Sequence, residues 1–259
     1  MMNDQQFTPS VYDDIKKYLC YLKQMGATGI DISPSLLQRI QQWGIIPKKQ
    51  PQKTQRLSQI SKTKISENIT IDQENPYDRM TAILKTVKAC TKCSLCQTRK
   101  QVVFGAGDLR TQIVFIGEAP GYEEDQTGKP FVGAAGQLFT RILHAMHLNR
   151  DMVYICNILK CRPPDNRNPD TQEIELCFPY LEQQLEIIQP KIICTLGNIA
   201  SQAILKEKTP ISKLRGKFHM YKKISVMPTF HPSYLLRNES KKRDVWQDMQ
   251  MIMHEMNRN

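Results

Sequence analysis

The segment IVFIGEAPG, residues 113–121, decides the predicted fold. Its first four residues are all β-branched or aromatic, which predicts a short buried strand. Gly117 ends that strand, and the Glu, Ala, Pro and Gly residues after it are typical of a loop that leads into a helix. The segment therefore predicts one strand–loop–helix unit.

The same plan recurs along the chain. Further strands are predicted at residues 153–156, 191–196 and 224–227, with helices between them at residues 135–146, 170–188 and 198–205. Strands that alternate with helices indicate a mostly parallel sheet covered on both faces. We therefore predict an α/β fold, a three-layer α/β/α sandwich around a central, mostly parallel, four-stranded sheet.

Polar segments follow three of the predicted strands. Glu118 comes after the first strand, Asn157 after the second and His231 after the fourth. Because ligands of such sheets bind at the carboxyl ends of the strands, we expect these side chains to share one site. Ordinary surface turns would have the same Gly and Pro content, but three polar strand ends together favour a ligand site.

The chain divides into three parts by composition. Residues 1–46 show helical spacing of apolar residues and predict a small helical appendage. Residues 47–76 are rich in Lys, Gln, Ser and Thr, which predicts a flexible basic linker. Residues 77–259 form the predicted catalytic domain.

Charge and hydropathy restrict the class of protein. The 259 residues have a formal net charge of +11, and no apolar run is long enough to span a bilayer. The first residues lack the pattern of a signal peptide, so we expect a cytoplasmic protein of bacterial type. Residues 206–243 hold eleven basic and two acidic residues, which makes nucleic acid the first partner to consider.

The eight cysteines indicate a metal centre more than disulfides. Cys90 and Cys93 form a Cys-x-x-Cys pair, and Cys161 and Cys177 are two distant thiols that could complete a four-sulfur site. Spacing alone leaves zinc and an iron–sulfur cluster open. Three others, Cys20, Cys156 and Cys194, are interpreted as small buried apolar residues.

Four blocks of sequence together resemble a known family. They are GEAPGYEED at residues 117–125, GKPFVG at 128–133, NILKCRPP at 157–164 and HPSYLLR at 231–237. In this order they closely resemble the type 4 uracil-DNA glycosylases of the uracil-DNA glycosylase superfamily, enzymes that carry a 4Fe–4S cluster. The resemblance covers residues 77–256 and leaves the N-terminal appendage and linker outside.

The resemblance implies a 4Fe–4S cluster held by Cys90, Cys93, Cys161 and Cys177. Cys96 stands three residues after Cys93 and is an alternative ligand. We expect the cluster to be structural, joining the start of the domain to the loop after the second strand. A redox role is left open.

The resemblance also implies how a flipped uracil is held. Phe131 would stack on the base, and the Asn157 amide would read its Watson–Crick edge. Backbone groups of Gly117, Glu118 and Ala119 would supply the other uracil contacts.

Catalysis is assigned to four residues. His231 would donate a hydrogen bond to uracil O2 as negative charge develops there, and Asn157 would bind the opposite edge. The residue that orients the attacking water is open: Glu118 and Glu124 are the candidates, with Asn166 as a partner for Glu124. The expected reaction is monofunctional hydrolysis of the N-glycosidic bond in base excision repair.

Contacts to DNA are assigned to Arg215, Lys217, Leu235 and Arg237. The run at residues 234–237 resembles the family's loop that presses on the duplex where the base leaves. We expect a monomer that acts on single- or double-stranded uracil-containing DNA, with a protein partner for the N-terminal helices as a further option. The alternative is a non-catalytic iron–sulfur DNA-binding module, in which Asn157 and His231 would be scaffold.

Overall fold

A computed structural model describes residues 75–258 of the chain. The predicted helical appendage at residues 1–46 lies outside the described residues. So does the predicted linker at residues 47–76, apart from its last two residues. Among residues 75–258, no helix combines the length and the hydrophobicity that crossing a bilayer requires.

A six-stranded mixed sheet forms the middle layer. Its strands are β1 (Ala106–Gly107), β2 (Ile113–Gly117), β3 (Tyr154–Asn157), β4 (Ile192–Leu196), β5 (His219–Tyr221) and β6 (Ile224–Thr229). The order across the sheet is β1-β3-β2-β4-β6-β5. The four central strands are parallel, as predicted from the sequence. The short strands β1 and β5 add an antiparallel edge on each side, which the sequence did not predict.

Nine α-helices surround this sheet in the described part of the chain. They are α1 (Pro76–Lys88), α2 (Leu95–Thr98), α3 (Tyr122–Thr127), α4 (Ala134–Ala145), α5 (Thr171–Ile188), α6 (Asn198–Leu205), α7 (Ile211–Leu214), α8 (Pro232–Arg237) and α9 (Lys242–Met256). The predicted helices correspond to α4, α5 and α6 within one or two residues. Two short 3₁₀ turns, Pro164–Asn166 and Glu239–Lys241, complete the elements.

Two apolar cores, one on each face of the sheet, confirm the three-layer sandwich. Side chains of β2 alternate between them: Val114 and Ile116 pack with α1, α5 and α6, whereas Ile113 and Phe115 pack with α4 and α9. The alternation follows from the two-residue period of a strand, and both faces are apolar because helices cover both. Cys156 and Cys194 are buried in these cores, as predicted.

The strand register places the ends of the central strands side by side. Gly117 at the end of β2 is paired with Asn157 at the end of β3, and Leu196 in β4 is paired with Thr229 in β6. All four strands therefore deliver their following loops to one edge of the sheet. This confirms the predicted convergence of the segments after β2, β3 and β6.

A buried ion pair fastens α9 to the end of β6. Arg215 donates from Nε and Nη2 to the Asp248 carboxylate at 3.0 and 2.8 Å, and the Thr229 hydroxyl donates to the same carboxylate at 2.6 Å. Asp248 is fully buried, and the Arg215 side chain is 16% exposed. The sequence assigned Arg215 to a phosphate contact. In the structure the Arg215 guanidinium is bound by Asp248 instead. Asp248 lies 33 residues further along the chain, so the run of basic residues gave no sign of this contact.

Removing this guanidinium should destabilise the fold. Arg215→Met leaves the Asp248 carboxylate buried without its cation, which costs about 3–5 kcal/mol of unfolding free energy. The matched variant Lys217→Met removes a charge from an exposed side chain two residues away and should change that free energy by less than about 0.5 kcal/mol. Urea unfolding of both variants tests this. Equal losses would contradict a structural role specific to Arg215.

Candidate active site

A cavity of about 700 Å³ opens at the edge of the sheet where the central strands end. Its walls come from the loops after β2, β3, β4 and β6 and from the first turn of α8. It brings together all four residues to which the sequence assigned catalysis: Glu118, Glu124, Asn157 and His231. Phe131 and Ala119 line the same cavity.

Asn157 is the polar group at the floor of the cavity. The residue is 2% exposed, and its buried Oδ1 atom has no hydrogen-bond partner in the part of the chain that the structure describes. A buried amide oxygen that accepts nothing costs free energy, so the site favours a ligand that donates to it. Gly117 makes room for this amide: a Cβ there would overlap Asn157 Oδ1 and lie 2.6 Å from Phe131 Cζ.

A buried lysine that sequence reasoning missed holds the backbone of Asn157. Lys160 is fully buried, and its ammonium donates to the Asn157 carbonyl at 2.8 Å and to Gln184 Oε1 at 2.7 Å. Gln184 in turn donates to the Tyr154 hydroxyl at 3.0 Å and to the Phe104 carbonyl at 3.1 Å. The end of β3 is therefore fixed to helix α5 through polar groups that the core encloses.

Phe131 forms a ring wall beside the amide. Its backbone is left-handed, with φ of 53°, a strained conformation for a residue with a side chain. Arg150 stabilises this turn by donating to the Phe131 carbonyl at 3.0 Å and to the Pro130 carbonyl. Gly136 lets α4 approach, because a Cβ there would overlap the Phe131 carbonyl. No pattern in the sequence pointed to Arg150.

His231 faces Phe131 across the cavity, with ring centroids 5.7 Å apart. It is the N-cap of α8, and its Nδ1 accepts the Ser233 amide at 3.1 Å. The proton of the neutral imidazole therefore resides on Nε2. Burial lowers the pKa of His231 to about 4, an effect that the Glu124 carboxylate opposes and the Arg237 cation reinforces. The ring is neutral at neutral pH.

The two candidate carboxylates differ in what binds them. Glu124 accepts backbone amides from three residues of two loops: Gly121 at 3.1 Å, Val132 at 2.8 Å and Gly133 at 3.0 Å. Its carboxylate therefore stabilises the loops that carry Phe131. Sequence reasoning named Asn166 as a partner of Glu124, but no hydrogen bond joins the two within residues 75–258. Asn166 Oδ1 instead accepts from Arg162 Nε at 2.7 Å.

Glu118 is the carboxylate left available to a ligand. It is partly buried at the cavity wall, and no hydrogen bond to its side-chain oxygens is found within residues 75–258. Burial raises the pKa of the Glu118 carboxyl above its ordinary value. A half-desolvated carboxylate with free lone pairs is suited to accept a proton or to face a developing positive charge.

Five cysteines line a second, small cavity between α1, α2, α5 and the loop after β3. They are the predicted ligands Cys90, Cys93, Cys161 and Cys177, together with Cys96. Two donors point at these sulfurs: Arg99 Nη1 lies 3.2 Å from Cys161 Sγ, and the Lys160 amide lies 3.3 Å from Cys177 Sγ. The structure thus assembles the thiols that lie far apart in sequence.

The predicted DNA-contact residues fall into two groups. Lys217 and Arg237 are exposed, whereas Arg215 is held by Asp248 and Leu235 is 1% exposed inside the core. Leu236, the next residue, is 45% exposed and lines the cavity rim with Arg237. The exposed leucine of this helix is therefore Leu236, and the assignment of Leu235 is corrected by one position.

Comparisons with known proteins indicate a family. The family model for the uracil DNA glycosylase superfamily matches residues 104–250. The chain is similar to the type-4 uracil-DNA glycosylase of Thermotoga maritima, at 47% identity over 175 residues that cover 66% of this chain and 91% of that protein. It is also similar to the type-4 uracil-DNA glycosylase of Sulfurisphaera tokodaii, at 42% identity over 184 residues that cover 68% and 84%.

The environment of His231 should be visible in its titration. With a folded pKa of about 4 and an ordinary value of 6.5, the ring stays neutral while pH falls from 8 to 5.5, but it gains a proton in the unfolded chain. The free energy of unfolding should therefore fall by about 1 kcal/mol over this range through His231 alone. His231→Asn keeps an N-cap acceptor and should lose this contribution.

The measurements are the NMR shifts of the His231 ring between pH 8 and 5.5 and urea unfolding of both proteins at those two pH values. Constant shifts support the buried neutral ring. A midpoint near 6.5 would contradict it.

Proposed function

The chain belongs to the uracil DNA glycosylase superfamily and is a type 4 uracil-DNA glycosylase, and we propose how the residues of its cavity hydrolyse the N-glycosidic bond. The enzyme flips uracil out of DNA and leaves an abasic site, the first step in base excision repair of deaminated cytosine. The observation that carries the residue assignments is the buried Oδ1 of Asn157, which has no hydrogen-bond partner among residues 75–258.

Asn157 reads the base. Its Oδ1 accepts from uracil N3–H while its side-chain NH₂ donates to O4. Cytosine presents the opposite pattern at these atoms, so it leaves both groups of a buried amide unpaired and is rejected. Phe131 stacks on the base, and backbone groups of Gly117, Glu118 and Ala119 complete the pocket. The absence of a Cβ at Gly117 supports this placement, since the space beside the amide is needed.

His231 stabilises the departing base. Cleavage places negative charge on uracil and positive charge on the sugar, so preorganised donors contribute most of the rate enhancement. We assign Nε2–H of the neutral imidazole as the donor to uracil O2, because Nδ1 is occupied by the Ser233 amide. A neutral imidazole stabilises the uracil anion by donating a hydrogen bond to it and does not transfer a proton to the base.

Glu118 orients the attacking water or faces the developing positive charge of the sugar. Its free lone pairs and raised pKa support this role over Glu124. Glu124 acts by positioning, since its three backbone hydrogen bonds hold the loop of Phe131. The catalytic assignment is accordingly Glu118, Asn157 and His231, with Glu124 in support.

The second cavity fits an iron–sulfur cluster. Its donors are thiols, four of which are the set Cys90, Cys93, Cys161 and Cys177. The choice of an iron–sulfur cluster over zinc rests on the membership of the chain in the type 4 enzymes. Thiols spread around a small cavity suit the separate corners of a 4Fe–4S cluster. When bound, the cluster supplies cross-links between α1, the loop after β3 and α5.

We place the enzyme on uracil-containing DNA in the cytoplasm, as a monomer, with Lys217, Leu236 and Arg237 at the contact surface. Exposed lysine and arginine side chains neutralise phosphates. Both single- and double-stranded DNA are assigned as substrates. A protein partner for residues 1–46 remains a proposal on the sequence alone. The non-catalytic alternative is disfavoured, because a scaffold asparagine would not leave a buried acceptor without a partner.

Changing the proposed base reader should greatly slow excision and leave DNA binding intact. Asn157→Asp keeps the shape but loses the NH₂ donor and adds a buried charge, so we expect single-turnover excision of uracil to fall by about 10²–10³-fold. Asn168→Ala, at an exposed residue of the same cavity, is the matched control and should keep its rate.

Cleavage of a labelled uracil oligonucleotide measures excision, and fluorescence anisotropy measures binding to undamaged DNA. Wild-type excision by Asn157→Asp would show that the amide is scaffold. Loss of binding together with excision would show that the variant is misfolded.

The four-cysteine assignment predicts which thiols retain iron. Cys161→Ser and Cys177→Ser should each lower the iron and acid-labile sulfide content of anaerobically purified protein and weaken its visible absorbance. Cys96→Ser, a change at the fifth thiol of the cavity, should retain all three. The opposite result, with iron lost from Cys96→Ser and retained in Cys177→Ser, would make Cys96 a ligand.

A further inference from the structure

An exposed aromatic ring stands at the mouth of the active cavity. Tyr122 is 56% exposed, lines the cavity and lies one residue after the loop that carries Glu118. The guanidinium of Arg162 lies 5.3 Å from the centroid of this ring, which is a cation–π arrangement. None of the roles assigned above uses either residue.

A hydrogen bond within the loop after β3 holds Arg162, and through it the Tyr122 ring, in place. Arg162 Nε donates to Asn166 Oδ1 at 2.7 Å, within the loop that follows β3. Two consecutive residues of that loop, Asp165 and Asn166, have left-handed backbones with φ of 52° and 54°. The tight turn sets the position of the guanidinium, and the guanidinium in turn restrains the ring. A restrained surface loses less entropy when a ligand binds to it.

The pair is positioned by the same loops as the base pocket. Tyr122 follows the loop after β2, and Arg162 belongs to the loop after β3, which are the loops that deliver Glu118 and Asn157. A uracil on the cavity floor is joined through its sugar and phosphates to a neighbouring nucleotide at the rim. The ring and the cation at this rim are the two groups that single-stranded nucleic acid binds best: bases stack on aromatic rings, and phosphates attract arginine.

We propose that Tyr122 and Arg162 form a subsite for the nucleotide next to the flipped uracil, with its base stacked on the Tyr122 ring and its phosphate near the Arg162 guanidinium. The inference rests on the proposed function, because it places the uracil in the adjacent cavity. It adds a contact outside the base pocket, one that accepts any base because every base has a flat face.

The subsite should increase the affinity for single-stranded DNA more than the affinity for duplex DNA. In a duplex, the neighbouring base is already stacked and paired, so moving it onto Tyr122 replaces one stacking contact with another. In a single strand the contact is a net gain. Tyr122 therefore raises the affinity for uracil in unpaired DNA more than for uracil in a duplex.

The test combines protein variants with modified substrates. Tyr122→Ala should lower kcat/KM on a single-stranded uracil oligonucleotide about tenfold, mainly through KM, whereas Tyr122→Phe keeps the ring and should restore it. Met220→Ala removes another exposed apolar side chain, 61% exposed on edge strand β5, and should have no effect. On duplex substrate the loss for Tyr122→Ala should be smaller.

Abasic spacers placed 5′ or 3′ of the uracil decide whether stacking is the cause. On the side that Tyr122 serves, a spacer should lower wild-type kcat/KM to the level of Tyr122→Ala and leave Tyr122→Ala unchanged. If Tyr122→Ala loses the same factor whether or not a neighbouring base is present, or loses none, the subsite is refuted.

Failure of the proposed function gives a different result. In that case the wild-type protein would excise uracil from no oligonucleotide, with or without spacers. The subsite would then be judged by anisotropy on undamaged single strands, where Tyr122→Ala should still bind about tenfold more weakly than Tyr122→Phe. Equal affinities would refute it there as well.

Discussion

The rest of the site depends on the hydrogen bonds that the buried Lys160 ammonium donates. A lysine with no exposed surface needs partners for its charge, and it finds them in the Asn157 carbonyl and Gln184 Oε1. Burial lowers the pKa of this amine, and the nearby thiols of Cys156, Cys177 and Cys161 oppose that shift. Because the Lys160 amide also points at Cys177 Sγ, one residue joins the base reader, the longest described helix and the cysteine cavity.

The acidic residues after β2 show how neighbouring carboxylates acquire different roles. Glu124 and Asp125 both accept backbone amides from other loops, Asp125 from Lys100 at 2.9 Å. A carboxylate whose lone pairs are occupied stabilises the chain and has little capacity left for a substrate. Glu118 lies two residues after Ile116, the last core residue of β2, and no hydrogen bond to its side-chain oxygens is found within residues 75–258. Glu124 and Asp125 therefore stabilise the chain, and the proposed function assigns the chemical role to Glu118.

The sequence predicted the four central strands and three helices between them, but it missed the helices α1 and α9, the edge strands and the contacts between residues far apart in the chain. The four central strands and the helices α4 to α6 are long enough for periodicity to reveal them, whereas β1 and β5 have only two and three residues. Asn157 was predicted at the end of one strand and His231 in the segment after another, and both line the cavity at the edge where the parallel strands end. Arg150 and Asp248 act through contacts far along the chain, so no local pattern could indicate them. In the six-residue helix α8, two adjacent leucines gave no way to decide which one faces the core.

The floor and the rim of the cavity differ physically, and this separates the two kinds of recognition. On the floor, Lys160 holds Asn157, Arg150 holds Phe131, and the Ser233 amide holds His231. Moving these residues to fit a different base would break those hydrogen bonds and cost free energy. At the rim, Tyr122, Leu236 and Arg237 are exposed or partly exposed and contact groups that every DNA strand offers. Under the proposed function, the floor determines which base is cut and the rim determines which DNA is bound. A substitution on the floor should change which base is excised, because an incorrect base would leave the buried polar groups there unpaired. A substitution at the rim should change the affinity for DNA instead.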